Sequence, residues 1–257
     1  MALGESEYFV IPDWPAPANV RALVTTRNGG CSGGVFSSNN LGTDVGDSAV
    51  DVTSNREQLI VSLPGEPDIQ WLSQVHGIDV VEIDHCSNLL EADGCFTQKS
   101  NLACSVLTAD CLPVFFTTKS GSSIAIAHAG WRGLAAGVLQ NTLEKFSVKA
   151  QDILVWLGPA IGPCHYEVGD EVRNEFLRLC RGQQEYAEID SRGFKKNAGD
   201  SKWSVDLYTI ARIKLHYQGV KNIFGGDFCT VCDQVRFFSY RRDGETGRMA
   251  NLIYLHS

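Results

Sequence analysis

LACSVLTADCLPVFFTTKSGSSIAIAHAGWRGL, residues 102–134, alternates short apolar runs with tight polar breaks. LACSVLT, LPVFF and SSIAIAH each fit a strand covered on both faces, since none shows the every-second-residue polarity of a half-exposed strand. The breaks carry the reactive groups: Asp110 and Cys111 after the first run, His128 and Arg132 after the third. Upstream, IQWLSQVHG ends a similar run at His76. Breaks at strand ends of a rigid frame are where functional side chains tend to sit.

Working outward, residues 8–17 read as an apolar strand-like start broken by prolines, and VRALVTTR as a strand entering the Asn28-Gly29-Gly30 turn. That turn has no helix signal after it and lacks nucleotide-fingerprint spacing, so it reads as a turn rather than a phosphate loop. Residues 48–63 predict a helix ended by Pro64. IQWLSQVHG and IDVVEID read as two strands joined at Gly77. After Gly133, one helix is expected with Leu134, Val138, Leu139, Leu143 and Phe146 on one side. DILVWLG reads as a strand, GDEVRNEFLRLC as a helix, and the polar residues 181–202 as a mobile surface loop. Asp206 is placed to cap a helix that Gly219 closes, KNIFGGDF is strand-like, and an arginine-rich loop leads into a last strand ending IYL. Helices and strands do not alternate strictly, and no repeat or linker divides the chain. The expectation is one compact α+β domain over residues 1–257, with mixed β-sheets flanked by helices.

Of 257 residues, 44% are hydrophobic and 20% charged, as in ordinary folded proteins. A net charge of -8 argues against a broad nucleic-acid surface. No run approaches the roughly 20 apolar residues that span a bilayer, so no membrane partner is expected. MALGESEYFVIPDWP has no basic start followed by a long apolar core, and nine cysteines is an odd number. A cytoplasmic protein with reduced thiols is expected. Nothing in the sequence sets an oligomeric state.

Zinc accepts thiolate and imidazole, and catalytic sites keep the fourth position open for water. His76, Cys111 and His128 supply three such ligands, and Asp110 beside Cys111 could orient a ligand or move protons. Another reading makes Cys111 a nucleophile with His128 as base, which leaves His76 idle. Cys229-x-x-Cys232 fits half of a zinc site or a redox dithiol, yet no second CxxC or HxxxH accompanies it in the sequence. Arg241, Arg242 and Arg248 form a dense basic cluster suited to phosphate.

QVHG at 74–77, TADC at 108–111, AHAGWRG at 127–133, GPAIGPCHYEVG at 158–169 and FFSYRRDGETGR at 237–248 resemble the YfiH-type family in sequence and order. TTRNGGCSGGVFSSNNLG, followed by GD and NR, extends the likeness toward the start. That family carries the names polyphenol oxidase, multicopper laccase-domain protein and purine nucleoside phosphorylase. The resemblance implies a single α+β fold and a zinc site at His76, Cys111 and His128. It also implies phosphorolysis of purine nucleosides including methylthioadenosine, adenosine deamination, or editing of muramoyl-serine peptidoglycan precursors.

Copper is the alternative metal, because His2Cys is also a blue-copper set, normally with an axial methionine. Only Met1 and Met249 are present, and His85, His165, His216 and His256 are too few and scattered for a multicopper cluster. Phosphorolysis needs cationic groups for phosphate. Arg27, Asn40, Arg132 and Arg242 are the substrate-binding candidates for a purine nucleoside and phosphate, with Asp110 and Cys111 at the chemistry.

Overall fold

Strands Leu102–Thr108 and Leu112–Thr118 follow each other in the chain but lie in different sheets of the computed structural model, which describes residues 5–198 and 201–256. The first sits in a five-stranded sheet, antiparallel to Met249–Leu255 and parallel to Asp68–Gln70. The second sits in a six-stranded sheet, antiparallel to both Ile124–Ala129 and Ile153–Leu157. Ala109-Asp110-Cys111 is therefore a three-residue crossing between sheets, made with Asp110 at φ 94°.

Strand alternation sorts the core into layers. Cys104 and Val106 of one sheet meet Phe115, Ile126 and Trp156 of the other, filling the space between them. The opposite face of the six-stranded sheet, with Val114, Phe116, Ala125 and Val155, packs under the helical segments around Leu139, Phe176 and Ile210. The opposite face of the five-stranded sheet, with Leu23, Ala103 and Leu252, packs on Leu59 of helix Ala49–Ser62. The result is the expected α+β frame of mixed sheets flanked by helices, and it explains why the central runs carry no polar alternation. Strand Val20–Thr25 pairs with Met249–Leu255, so the first and last parts of the chain share one sheet. No helix among the described residues is long and apolar enough to cross a membrane.

Helix Ala49–Ser62 forms as expected, with the Ser48 hydroxyl accepting the Asp51 N–H. Asp206 caps helix Leu207–Tyr217 by accepting the Thr209 N–H at 3.0 Å, and Gly219 follows at φ 87°. The Asn28-Gly30 region is a turn: a side chain on Gly29 would meet the Tyr8 ring, and one on Gly30 would meet the Ser38 carbonyl.

Four expectations need correction. Only Phe9–Val10 of residues 8–17 pairs as a strand, since the prolines remove ladder donors. IQWLSQVHG breaks into Asp68–Gln70 and Leu72–Ser73, which pair in different sheets. The helix expected after Gly133 starts at Trp131 and is divided at Gly137, whose φ of 117° separates Trp131–Ala136 from Val138–Leu143. Residues 181–202 are not a surface loop. Their described part forms helix Gln183–Glu188, a π-turn Ile189–Gly193 and strand Phe194–Lys196, which pairs with Trp203–Val205 just beyond the stretch, while Gly199 and Asp200 lie outside the described residues.

What hides this order in the sequence is a buried ion pair. Lys214, 1% exposed, reaches Glu185 at 3.7 Å and donates to the Ala135 carbonyl. Glu185 also accepts the Arg181 N–H at 2.6 Å. Burial pulls the Lys214 pKa down while Glu185 pulls it back up. Removing one partner leaves the other charge buried alone, at a cost of about 3–5 kcal/mol. Urea unfolding should show a loss of that order for Lys214→Ala. The double variant Lys214→Met, Glu185→Gln should recover most of it.

Candidate metal centre

Antiparallel pairing of Leu112–Thr118 with Ile124–Ala129 sets His128 opposite Pro113 and Ala129 opposite Leu112. Cys111, one residue before that ladder, therefore arrives beside the end of the strand that carries His128. His76 comes from the turn after Leu72–Ser73. The three ligand atoms all lie within 4.8 Å of one another, with Cys111 Sγ 3.9 Å from His76 Nε2. The two imidazoles meet edge to face with centroids 4.8 Å apart. His128 is buried and His76 exposed, so the cluster opens on one side.

Asp93, 0% exposed, builds the cluster from behind. One carboxylate oxygen lies 2.7 Å from His128 Nδ1. A carboxylate there accepts, which puts the ring proton on Nδ1 and leaves Nε2 free to ligate. The same carboxylate accepts the N–H groups of Val75, His76 and Gly77 at 3.2, 3.0 and 2.6 Å. Successive N–H groups converging on one anion form a nest, and this one stabilises the left-handed φ of 60° at His76. Gln74 adds a second clamp, donating to the Leu107 carbonyl at 2.9 Å and accepting its N–H at 2.7 Å. Gly130 leaves room for the cluster, because a Cβ there would lie 3.0 Å from His76 Cδ2 and 3.1 Å from Cys111 Sγ and crowd both side chains.

Burial disfavours a charge on Cys111, but the His128 and His76 imidazoles outweigh it and bring the thiol down to about 6. Burial likewise opposes charge on His128, and the Cys111 thiolate and Asp93 raise it to about 9. In the metal-free cluster the sulfur is thus a thiolate beside a protonated His128, and a metal would displace the Nε2 proton on binding.

Asp110 is buried, with one carboxylate oxygen accepting the Thr230 hydroxyl at 2.5 Å and the other the Arg241 N–H at 2.6 Å. It anchors the crossing that presents Cys111. The ligands line a cleft of 470 Å³ whose other walls include Arg56, Arg248, Tyr240, Asp44, Leu72 and Leu107. Arg56 stacks on Trp71 at 4.0 Å and donates to the Leu41 carbonyl. Arg248 donates to the Thr246 and Gly247 carbonyls.

The other sequence candidates lie around this cleft without lining it. Asn40 is fully buried, and its side chain is engaged by Gly42, Asp47 and the Arg248 N–H. Arg27 donates to the Ser37 and Gln234 carbonyls and stacks on Phe238. Arg242 donates to the carbonyls of Thr230, Val231 and Phe237 and forks onto Asp243. Arg132 is exposed, stacked on Trp131, in a separate depression shared with Tyr166 and Arg241. Asp93 carries no signal in the sequence, because an aspartate in ADGCFTQ resembles any loop residue. Arg56 stood in the quoted NR pair, but helical position alone does not say which way it points.

The two-sheet α+β frame that carries this cluster is shared with known proteins. The chain belongs to the family described as multi-copper polyphenol oxidoreductase laccase, whose family model matches residues 21–256. It is 48% identical over 247 residues to a Pseudomonas aeruginosa protein named purine nucleoside phosphorylase, covering 96% of this chain and 98% of that one. The Escherichia coli protein named purine nucleoside phosphorylase YfiH is 44% identical over 251 residues, covering 96% and 98%. Among solved structures, a Neisseria meningitidis protein superposes with a TM-score of 0.89 at 42% identity, covering 97% of this chain and 100% of that one. YlmD from Geobacillus stearothermophilus superposes at 0.85 and 32% identity, covering 99% and 98%.

Two outcomes follow from the geometry. Asp93→Asn turns an amide N–H₂ toward donors that need an acceptor, so metal affinity measured by chelator competition should fall about 10–100-fold. In metal-stripped protein, Cys111 should be alkylated fastest above its pKa and slow as pH falls through about 6. A rate that instead fell away near the ordinary 9.0 would show that the imidazoles do not act on the thiol.

Proposed function

We propose that this chain is a zinc-dependent purine nucleoside phosphorylase that also deaminates adenosine and cleaves methylthioadenosine. The observation that carries the reading is the cleft itself: an open His2Cys cluster on one wall, with Arg56 and Arg248 on the others. The relatives' names, purine nucleoside phosphorylase, support the phosphorylase part of it. Two imidazole nitrogens and one thiolate converging on a point, with a fourth side open, match the donor set of a catalytic zinc site. Zinc held by His76, Cys111 and His128 would supply a Lewis acid at the cleft floor.

The rest of the work falls to the chain. Phosphorolysis breaks the bond from the anomeric carbon to the purine nitrogen and forms one from that carbon to a phosphate oxygen. Arg56 and Arg248 are assigned to hold the phosphate, since both line the cleft and guanidinium forks match its oxygens. Leu72 and Leu107 offer an apolar wall to the base. Asn40 acts one step back, through its acceptor bond to the Arg248 N–H, and Arg242 by tying Thr230 and Val231 to Phe237. Asp110 is assigned to position Cys111, because both carboxylate oxygens already accept bonds from the protein. In this reading Arg27 and Arg132 shape the surroundings rather than touch the nucleoside.

The oxidase in the family description is the weaker reading on ligand grounds. Met249 is buried, and its sulfur accepts the Phe238 N–H at 3.1 Å, while Met1 lies outside the described residues. His85, His216 and His256 join neither of the two ligand clusters found among the described residues.

Chromatography of adenosine and inosine reactions, with and without phosphate, tests the proposal. Free base with ribose 1-phosphate should form only with phosphate present, and inosine should form from adenosine without it. His76→Ala, Cys111→Ala and His128→Ala should abolish deamination. Arg248→Ala should lower kcat/KM for phosphate about 10–100-fold, as loss of a charged hydrogen bond implies, with a smaller effect on deamination. Turnover of a muramoyl-serine precursor but of no nucleoside would sink the purine assignment. Turnover of phenols alone, and only with copper, would do the same.

A further inference from the structure

The CxxC pair that stands unaccompanied in the sequence has partners in space. Strands Ile153–Leu157 and Asn222–Gly225 are parallel neighbours in the six-stranded sheet, so the segments that follow them leave from the same edge. They stay together, with a parallel bridge between Ala160 and Cys229 and a hydrogen bond from the Thr230 N–H to the Ala160 carbonyl. Each segment then delivers two ligands to one point: Cys164 and His165 from the first, Cys229 and Cys232 from the second.

The spacing is that of a coordination shell. Cys164 Sγ lies 3.6 Å from both Cys229 Sγ and Cys232 Sγ. His165 Nδ1 lies 3.1, 3.4 and 3.9 Å from the sulfurs of Cys164, Cys232 and Cys229. A tetrahedron with zinc–sulfur bonds of about 2.3 Å and a zinc–nitrogen bond of about 2.05 Å has S···S edges of about 3.8 Å and S···N edges of about 3.6 Å. A disulfide would need sulfurs about 2.05 Å apart, and all nine cysteines are free. Three thiols around one imidazole also exceed what any disulfide or single dithiol explains. The Gly162 N–H points at Cys229 Sγ at 3.3 Å, and a Cβ on Gly162 would crowd both Cys229 and Cys164.

We propose that Cys164, His165, Cys229 and Cys232 form a second metal site, a structural Cys3His zinc centre separate from the His76–Cys111–His128 cluster. Four protein ligands close the shell, which marks a structural role, and three thiolates favour zinc over hard cations. Its place in the fold says what it stabilises. Thr230, next to Cys229, donates to Asp110, which adjoins Cys111 of the first cluster. Arg241 donates to the carbonyls of His165 and Glu167, and its N–H binds Asp110. The second metal thus pins together the two segments that hold the Cys111 crossing, whatever reaction the cleft performs.

Metal analysis of protein purified with reductant and without chelator tests this. The wild type should carry about two zinc ions per chain, and Cys111→Ala about one. Cys164→Ser with Cys232→Ser should also carry about one, while Cys31→Ser should keep both. Should the Cys164 variants fail to fold, the Cys111→Ala protein loaded with cobalt(II) decides the matter. It should show the tetrahedral visible bands and strong sulfur-to-cobalt charge transfer of a three-thiolate site. Absence of those bands, or of any zinc in Cys111→Ala, would overturn the proposal. So would a native disulfide between Cys164 and either Cys229 or Cys232, found by mass spectrometry.

Discussion

The carboxylate of Asp93 holds two otherwise unrelated pieces of chain at one point. It takes the His128 ring proton on one side and three successive backbone N–H groups around His76 on the other. Burying a carboxylate is costly unless its lone pairs are filled, and here donors from two segments fill them. His76 adopts a left-handed backbone conformation and His128 is committed to one tautomer because of the same group. Both histidines depend on an aspartate that does not itself line the cleft.

Cys111 depends on a different constraint. Two sheets packed face to face require the chain to pass from one to the other, and between residues 108 and 112 it does so in three residues. So short a crossing forces Asp110 to a positive φ, and its carboxylate is then tied to Thr230 and to the Arg241 N–H. The thiol is presented at the sheet junction by backbone geometry that distant residues lock in place. The segments around Cys164 and Cys229 supply that lock, so the two His/Cys clusters are joined through Asp110.

Charged and amide side chains near the cleft divide by whether they keep a face on it. Asn40, Arg27 and Arg242 commit their hydrogen bonds to backbone groups and to the carboxylates of Asp47 and Asp243, and none of the three lines the cleft. Arg56 and Arg248 also brace backbone carbonyls, yet both keep a face on the cleft. Residue type in a motif is blind to this distinction, and the packed position of each side chain decides it.

The sequence by itself determined the buried strands around 102–129, the capped helices beginning near Ala49 and Leu207, the α+β class and the three side chains of the first cluster. Each follows from local physics: apolar runs without alternation, side chains that satisfy helix-end donors, and soft ligands at strand ends. Only the tertiary structure decided that 102–108 and 112–118 part into separate sheets, that residues 183–198 are ordered over a buried Lys214–Glu185 pair, and that Gly137 divides a helix. It alone brought Asp93 to His128, 35 residues away, and Cys164 to Cys229, 65 residues away. Such contacts arise from strand order and sheet packing, which local propensity does not encode, and so the partners of a carboxylate or a thiol emerge only once the chain has closed on itself.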